Sequence, residues 1–225
     1  MWLNNNQVSD SAISAYRKSL LSACPNHVVI DGLFNQAKLD EVIKVLQQPQ
    51  RWQTQKHTYS ALYVDNTQWQ ETSNDQRFVQ RDAWQREEPD SNIINSNIIN
   101  SNIINSNIAH ELLTYLRGDE FMSVLSRIFN VVITDINVAE PEINTNYFRL
   151  GPDDFVEQHA DDSPGREVCM LLYLNKEWKD DAGGELVFIS KSENGLDKNG
   201  LGENEGTISI APLYNRCVLF DPSSK

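Results

Sequence analysis

Residues 147–164 read YFRLGPDDFVEQHADDSP. The stretch joins the end of one strand-like run to a polar turn, and it contains a His-x-Asp, His159-Ala160-Asp161. Working outward from it, residues 131–225 hold six strand-like runs. They are VVITDINVAE (131–140), EINTNYFRL (142–150), EVCMLLYLN (167–175), GELVFIS (184–190), GTISIAP (206–212) and RCVLFDP (216–222). Gly, Pro, Asp and Asn separate them, residues that favour turns because of their backbone freedom or their local hydrogen bonding.

Upstream the period changes. Ile13, Tyr16, Leu20 and Ala23 recur at helical spacing, with Ser9 or Asp10 as cap and Pro25 as stop. HVVIDGLF (27–34) reads as a short strand and turn. Leu39, Val42, Ile43 and Leu46 mark an amphipathic helix between Asn35, a fitting N-cap, and Pro49. Leu112, Leu113 and Leu116, then Val124, Leu125 and Ile128, give helical stripes on either side of a break at Gly118. Helices first and strands afterward predict an α+β chain: residues 1–130 helical or mixed, and residues 131–225 a β-sandwich or open barrel.

Two segments resist this periodic reading. Residues 50–90 are rich in Gln, Trp and charge, and are expected to form irregular strands and loops in which Trp52, Trp69 and Trp84 are packing anchors. Residues 91–108 repeat SNIIN three times and end in SNI. A period of five rotates each copy by about 140° around a helix, so no single face collects the isoleucines. The repeat is therefore expected to lengthen a loop or the following helix rather than to carry function.

Composition narrows the classes. A net charge of −13 opposes binding to a phosphate backbone, so no nucleic-acid partner is expected. No apolar run approaches the roughly 18 residues of a membrane span, and the first ten residues lack a basic then apolar signal pattern. A cytoplasmic protein without a membrane partner is the expectation. Three widely spaced cysteines, Cys24, Cys169 and Cys217, argue for buried thiols in a reducing compartment. Nothing in the composition fixes the oligomeric state.

Chemistry concentrates at His159 and Asp161. With seventeen Asp and four His in the chain, chance alone supplies roughly 0.3 such pairs, so the motif is weak by itself. The donor types nevertheless suit one cation: on an extended strand, residues two apart share a face. One further His would complete the two-His, one-carboxylate face that holds non-haem Fe(II) and leaves positions open for a cosubstrate and O₂.

The order of the surrounding fragments resembles the 2-oxoglutarate/Fe(II) dioxygenases, in their prolyl 4-hydroxylase-like branch. The matching residues are His159-Ala160-Asp161, Leu172-Tyr173-Leu174-Asn175, Trp178, Gly183-Gly184-Glu185-Leu186, Pro212, Asn215-Arg216 and Leu219-Phe220. The resemblance spans residues 130–225 and, more loosely, the helical part from 27. It implies a double-stranded β-helix (jelly-roll) core on which N-terminal helices pack. It implies Fe(II) on His159 and Asp161, and 2-oxoglutarate with its far carboxylate on Tyr173. O₂ is the second cosubstrate and ascorbate an optional reductant. Tyr147 and Arg149 fall where the family places cosubstrate- or substrate-facing side chains. Gly183 and Gly184 fall at a turn where positive φ is useful. Asp162 reads as turn chemistry. The implied reaction is oxidative decarboxylation of 2-oxoglutarate to succinate and CO₂, coupled to hydroxylation of a C–H bond. The substrate is expected to be a prolyl residue of a protein, free proline or another small molecule.

One departure stands out. The family's second His follows the strand written here as CVLFDPSSK, and a basic residue for the cosubstrate follows that His. This sequence ends at Lys225, where the His is due. None of His27, His57 and His110 substitutes well for it. The expectation is a chain cut short before its third ligand, and poorly active as it stands. Two other readings stay open: a non-catalytic binding module of the same β-fold, and a cupin-type metal enzyme that needs no 2-oxoglutarate.

Overall fold

The structure is a computed structural model that describes residues 1–86, 101–134, 145–161, 168–190 and 206–224. Helices and antiparallel strands mix along the chain, as an α+β class requires. The chain forms two compact units: Met1–Leu39 with Met122–Thr134 and Ala160–Lys225, and Asp40–Phe121 with Asp135–His159.

The first unit starts with α1 (Asp10–Ser22). Ser9 caps it by accepting from the Ala12 N–H, and Ile13 and Leu20 point into the core. Strand β1 (His27–Asp31) follows, and then α2 (Gln36–Leu46), whose Asn35 side chain accepts from the Lys38 N–H. The N-caps expected from sequence are thus formed. The sheet has the order β1-β9-β6, all antiparallel, with β6 at Cys169–Tyr173 and β9 at Arg216–Phe220. Cys217, Val218 and Leu219 are all buried, so the central strand is covered on both faces. This explains why its sequence is a continuous apolar run without alternation. Strands β7 (Leu186–Ser190) and β8 (Gly206–Ile210) form a separate hairpin pair.

Two contacts fix the β1–β9 register. Arg216 grips Asp31 through both guanidinium arms, at 2.7 and 2.8 Å, directly across the ladder. Asn215, buried and at φ +55°, accepts from the Phe34 N–H at 3.2 Å and donates to the Phe34 carbonyl at 2.9 Å. Its own N–H donates to the Tyr173 carbonyl, and its own carbonyl accepts from the Gly32 N–H.

The second unit centres on β3 (Arg77–Trp84). Strand β2 (Trp52–Thr58) pairs along one side; β4 (Phe148–Arg149) and β5 (Phe155–Val156) pair in succession along the other. The short helix α3 (Asn66–Glu71) lies between β2 and β3, closed by an Asp65–Gln68 capping box. Helix α4 (Ser101–Leu116) belongs to this unit, and at Gly118 it is separated, as expected, from helix α5 (Asp119–Phe129), most of which belongs to the first. In the core, Trp84 lies edge-on to Tyr147 and His110, among Ala109, Leu112 and Leu113.

Three expectations need correction. Within residues 50–86, Trp52–Thr58 and Arg77–Trp84 form one long paired ladder with a single register shift at His57/Thr58, more regular than expected, and loops and a short helix join them; aromatic faces carry cations here. Arg51 stacks on Trp84, Arg77 on Trp69 and Arg149 on Trp52. The apolar stems of these arginines pack while the hydropathy pattern reads as polar. The first strand-like run is absent over residues 131–134, and its remainder, 135–140, lies outside the described residues. The expectation of buried thiols holds for Cys217, while Cys24 is exposed and Cys169 half-buried. The last full repeat copy and its partial successor, 101–108, open α4, so this part does lengthen the following helix. Residues 91–100 lie outside the described residues. No helix among the described residues is long and apolar enough to cross a membrane.

Candidate metal centre

Strand β5 stops at Val156, and both His159 and Asp161 sit in backbone without repeating structure, so strand alternation does not set their directions. His159 is exposed, its ring edge-on to Phe78 at 5.3 Å between centroids. Its Nδ1 lies 2.8 Å from the Glu157 carbonyl oxygen. A carbonyl can only accept, so this contact places the proton of the neutral ring on Nδ1. The lone pair is then on Nε2, as a metal ligand requires. Asp161 is half-buried. Its neighbour Asp162, read as turn chemistry, lies outside the described residues.

The three side chains expected to face the cosubstrate have different surroundings. Tyr147 is 8% exposed, and its hydroxyl donates to the Ala109 carbonyl at 2.9 Å. Burial raises its pKa. A phenol so placed ties β4 to α4. Arg149 projects from β4 to the Asp82 carboxylate at 2.6 Å, opposite it in register, and its guanidinium covers Trp52. The arginine's hydrogen bond holds Asp82 below the usual carboxylate range, with help from the Thr54 hydroxyl.

Tyr173 ends β6 and differs from both. Burial alone pushes its phenol up to about 12, and no hydrogen bond to its hydroxyl is found among the described residues. A neutral phenol with its proton still to give is a suitable donor to a carboxylate. Beyond it, Asn175 donates to the Pro212 carbonyl, and the Trp178 indole N–H donates to the Gly183 carbonyl. Gly183 and Gly184 take φ +70° and +84°, the left-handed backbone that their place before β7 called for.

Residues 145–225 match the family model of the 2OG-Fe(II) oxygenase superfamily.

That match includes His159, Asp161, Tyr173 and the whole β6–β9 region, and it supports a dioxygenase-type function that uses Fe(II), 2-oxoglutarate and O₂. The donor chemistry agrees with a metal for two ligands: an imidazole whose tautomer is set, and a carboxylate. No group of three or more His, Cys, Asp or Glu side chains suited to an ion is found among the described residues. The sequence shows an imidazole and a carboxylate two residues apart, whereas the Glu157 carbonyl beside the imidazole's Nδ1 is a contact that only the fold reveals. Asn215 belongs to the matching fragment Asn215-Arg216, yet its clamp on Phe34 is a contact across 181 positions that only the fold reveals.

Proposed function

We propose that this protein is a 2-oxoglutarate- and Fe(II)-dependent dioxygenase that hydroxylates a C–H bond of a prolyl residue or a proline-like small molecule. The family match over the segment that contains His159-Ala160-Asp161 supports the dioxygenase part of this reading, and the prolyl or proline-like substrate rests on the resemblance of the sequence fragments to the prolyl 4-hydroxylase-like branch. When bound, the metal and its cosubstrate supply the oxidising chemistry. The chain supplies His159 and Asp161 as ligands, with Nε2 of His159 presented by the Nδ1 contact to Glu157. The Tyr173 hydroxyl would donate a hydrogen bond to the far carboxylate of 2-oxoglutarate; burial pushes its pKa up to about 12, so it keeps its proton through the working range. Tyr147 and Arg149 are left out of this set, since their polar groups are held by Ala109 and Asp82.

The test combines binding with turnover. Mn(II), a spectroscopic stand-in for Fe(II), is expected to bind the protein and to lose affinity by at least about tenfold in Asp161→Ala and in His159→Ala. Succinate release from 2-oxoglutarate is expected to need Fe(II) and to vanish in both variants. Proline-containing peptides and free proline should gain one oxygen atom. Metal binding indifferent to both substitutions overturns the ligand assignment. Succinate release without any gain of oxygen by proline compounds overturns the substrate.

A further inference from the structure

The second unit contains a cluster that the proposed reaction does not use. His57 on β2 is 5% exposed, yet neither ring nitrogen has a hydrogen-bond partner. Buried polar atoms are almost always paired, so an orphaned imidazole needs an explanation. Its strand neighbours supply one. His57 pairs with Val79 and Gln55 with Arg81, so His57 and Arg81 project from the same face of the β2–β3 ladder as diagonal neighbours.

Arg81 differs from the other arginines around it. Arg51, Arg77 and Arg86 donate to the carbonyls of Gln85, Trp69 and Thr145, and Arg149 pairs with Asp82. The Arg81 guanidinium carbon lies over Phe148 at 3.5 Å from the ring centroid, and no hydrogen bond or ion pair to the guanidinium is found among the described residues. Burial lowers its pKa, in keeping with a guanidinium kept partly from water. Over His57 lies the half-exposed ring of Tyr63, 4.8 Å away. Tyr63 holds φ +54°, a costly conformation for a bulky residue, within a loop tied back to β2 by the Val64 N–H on the Lys56 carbonyl.

We propose that His57 and Arg81 form a binding site for a small organic carboxylate. The oxyanion accepts two guanidinium donors from Arg81 and the ring N–H of His57, the arrangement that carboxylates favour. The carbon body lies along Tyr63, Phe148 and Val156. Val156 belongs to this face because it pairs with Val79, and it is exposed. A carboxylate fits better than a metal cation, which a neighbouring guanidinium repels. It also fits better than a bare inorganic anion, for which the apolar walls do nothing. This site is separate from the His159 and Asp161 assignment and does not depend on it.

The chain has four histidines, so a ¹³C-histidine-labelled protein gives four ring signals, assigned by substitution. Titration with benzoate, succinate or inorganic phosphate is the probe. The His57 signal is expected to move saturably with benzoate and succinate and far less with phosphate. In Arg81→Met the apparent Kd should rise at least about tenfold, while Arg81→Lys keeps part of the affinity. The other three ring signals and an unchanged Tm serve as the check on folding. If Arg81→Met unfolds, Tyr63→Ala replaces it and should weaken benzoate more than phosphate. A His57 signal unmoved by about 10 mM of either carboxylate overturns the proposal, as does a shift of equal midpoint in Arg81→Met. Phosphate binding as tightly as benzoate overturns the organic-carboxylate assignment.

Discussion

Replacing Asn215 with alanine tests how the first unit is held. The substitution removes two hydrogen bonds from a single side chain, one at each polar group of the Phe34 backbone. Phe34 is 1% exposed, so water cannot replace the lost partner. An orphaned buried N–H or C=O costs about 2 kcal/mol. Alanine must also take φ +55°, where asparagine is tolerated and alanine costs about 1 kcal/mol more. The combined loss is about 5 kcal/mol, in the range reserved for broken buried networks. For a chain of this size it lowers Tm by about 10–20 °C. Urea unfolding of three variants separates the contributions. Asn215→Ala should lose the full amount. Asn215→Gly should recover about 1 kcal/mol through its freedom at positive φ. Asn215→Asp keeps an acceptor for the Phe34 N–H but sets a carboxylate against the Phe34 carbonyl, and should remain well below the parent. An alanine variant within about 0.5 kcal/mol of the parent would refute the clamp.

Two further outcomes follow from the second unit. Tyr147→Phe loses the hydrogen bond to Ala109 but keeps the ring against Trp84, so stability should fall by about 1 kcal/mol while the KM for 2-oxoglutarate stays unchanged; a raised KM would return Tyr147 to the cosubstrate site. Burial first, and Arg81 second, hold the His57 pKa below its usual 6.5. The unfolded chain therefore takes up that proton first as pH falls, so the stability linked to neutral His57 is complete above about pH 6.5 and declines as pH drops toward the folded value. Denaturation midpoints in carboxylate-free buffer should show this slope, and His57→Leu should flatten it.

The readable parts of the fold are those where one property dominates. Helices α1, α2 and α5 bury a single stripe, and their caps are spelled out in Ser9 and Asn35. Strands β6, β7 and β9 are apolar runs between turn residues. Strand β3 was harder to read because its Arg77 and Arg81 rest on Trp69 and Phe148, a pairing that hydropathy scores as two unlike residues. At the site, the paired glycines could be read from the sequence, since positive φ depends on the chemistry of one residue. The holds on Tyr147 and Arg149 could not, since each depends on a partner dozens of positions away, at Ala109 and Asp82.

The place of β9 between β1 and β6 governs how the nascent chain behaves on the ribosome. Residues 27–31 meet no partner strand until 216–220 emerge, about 190 residues later, and at 5–20 residues per second that interval is roughly 10–40 s. During it the edge of β1, and once made that of β6, is available to other chains. Synthesis of this protein should therefore call on holding chaperones until β9 slots between them.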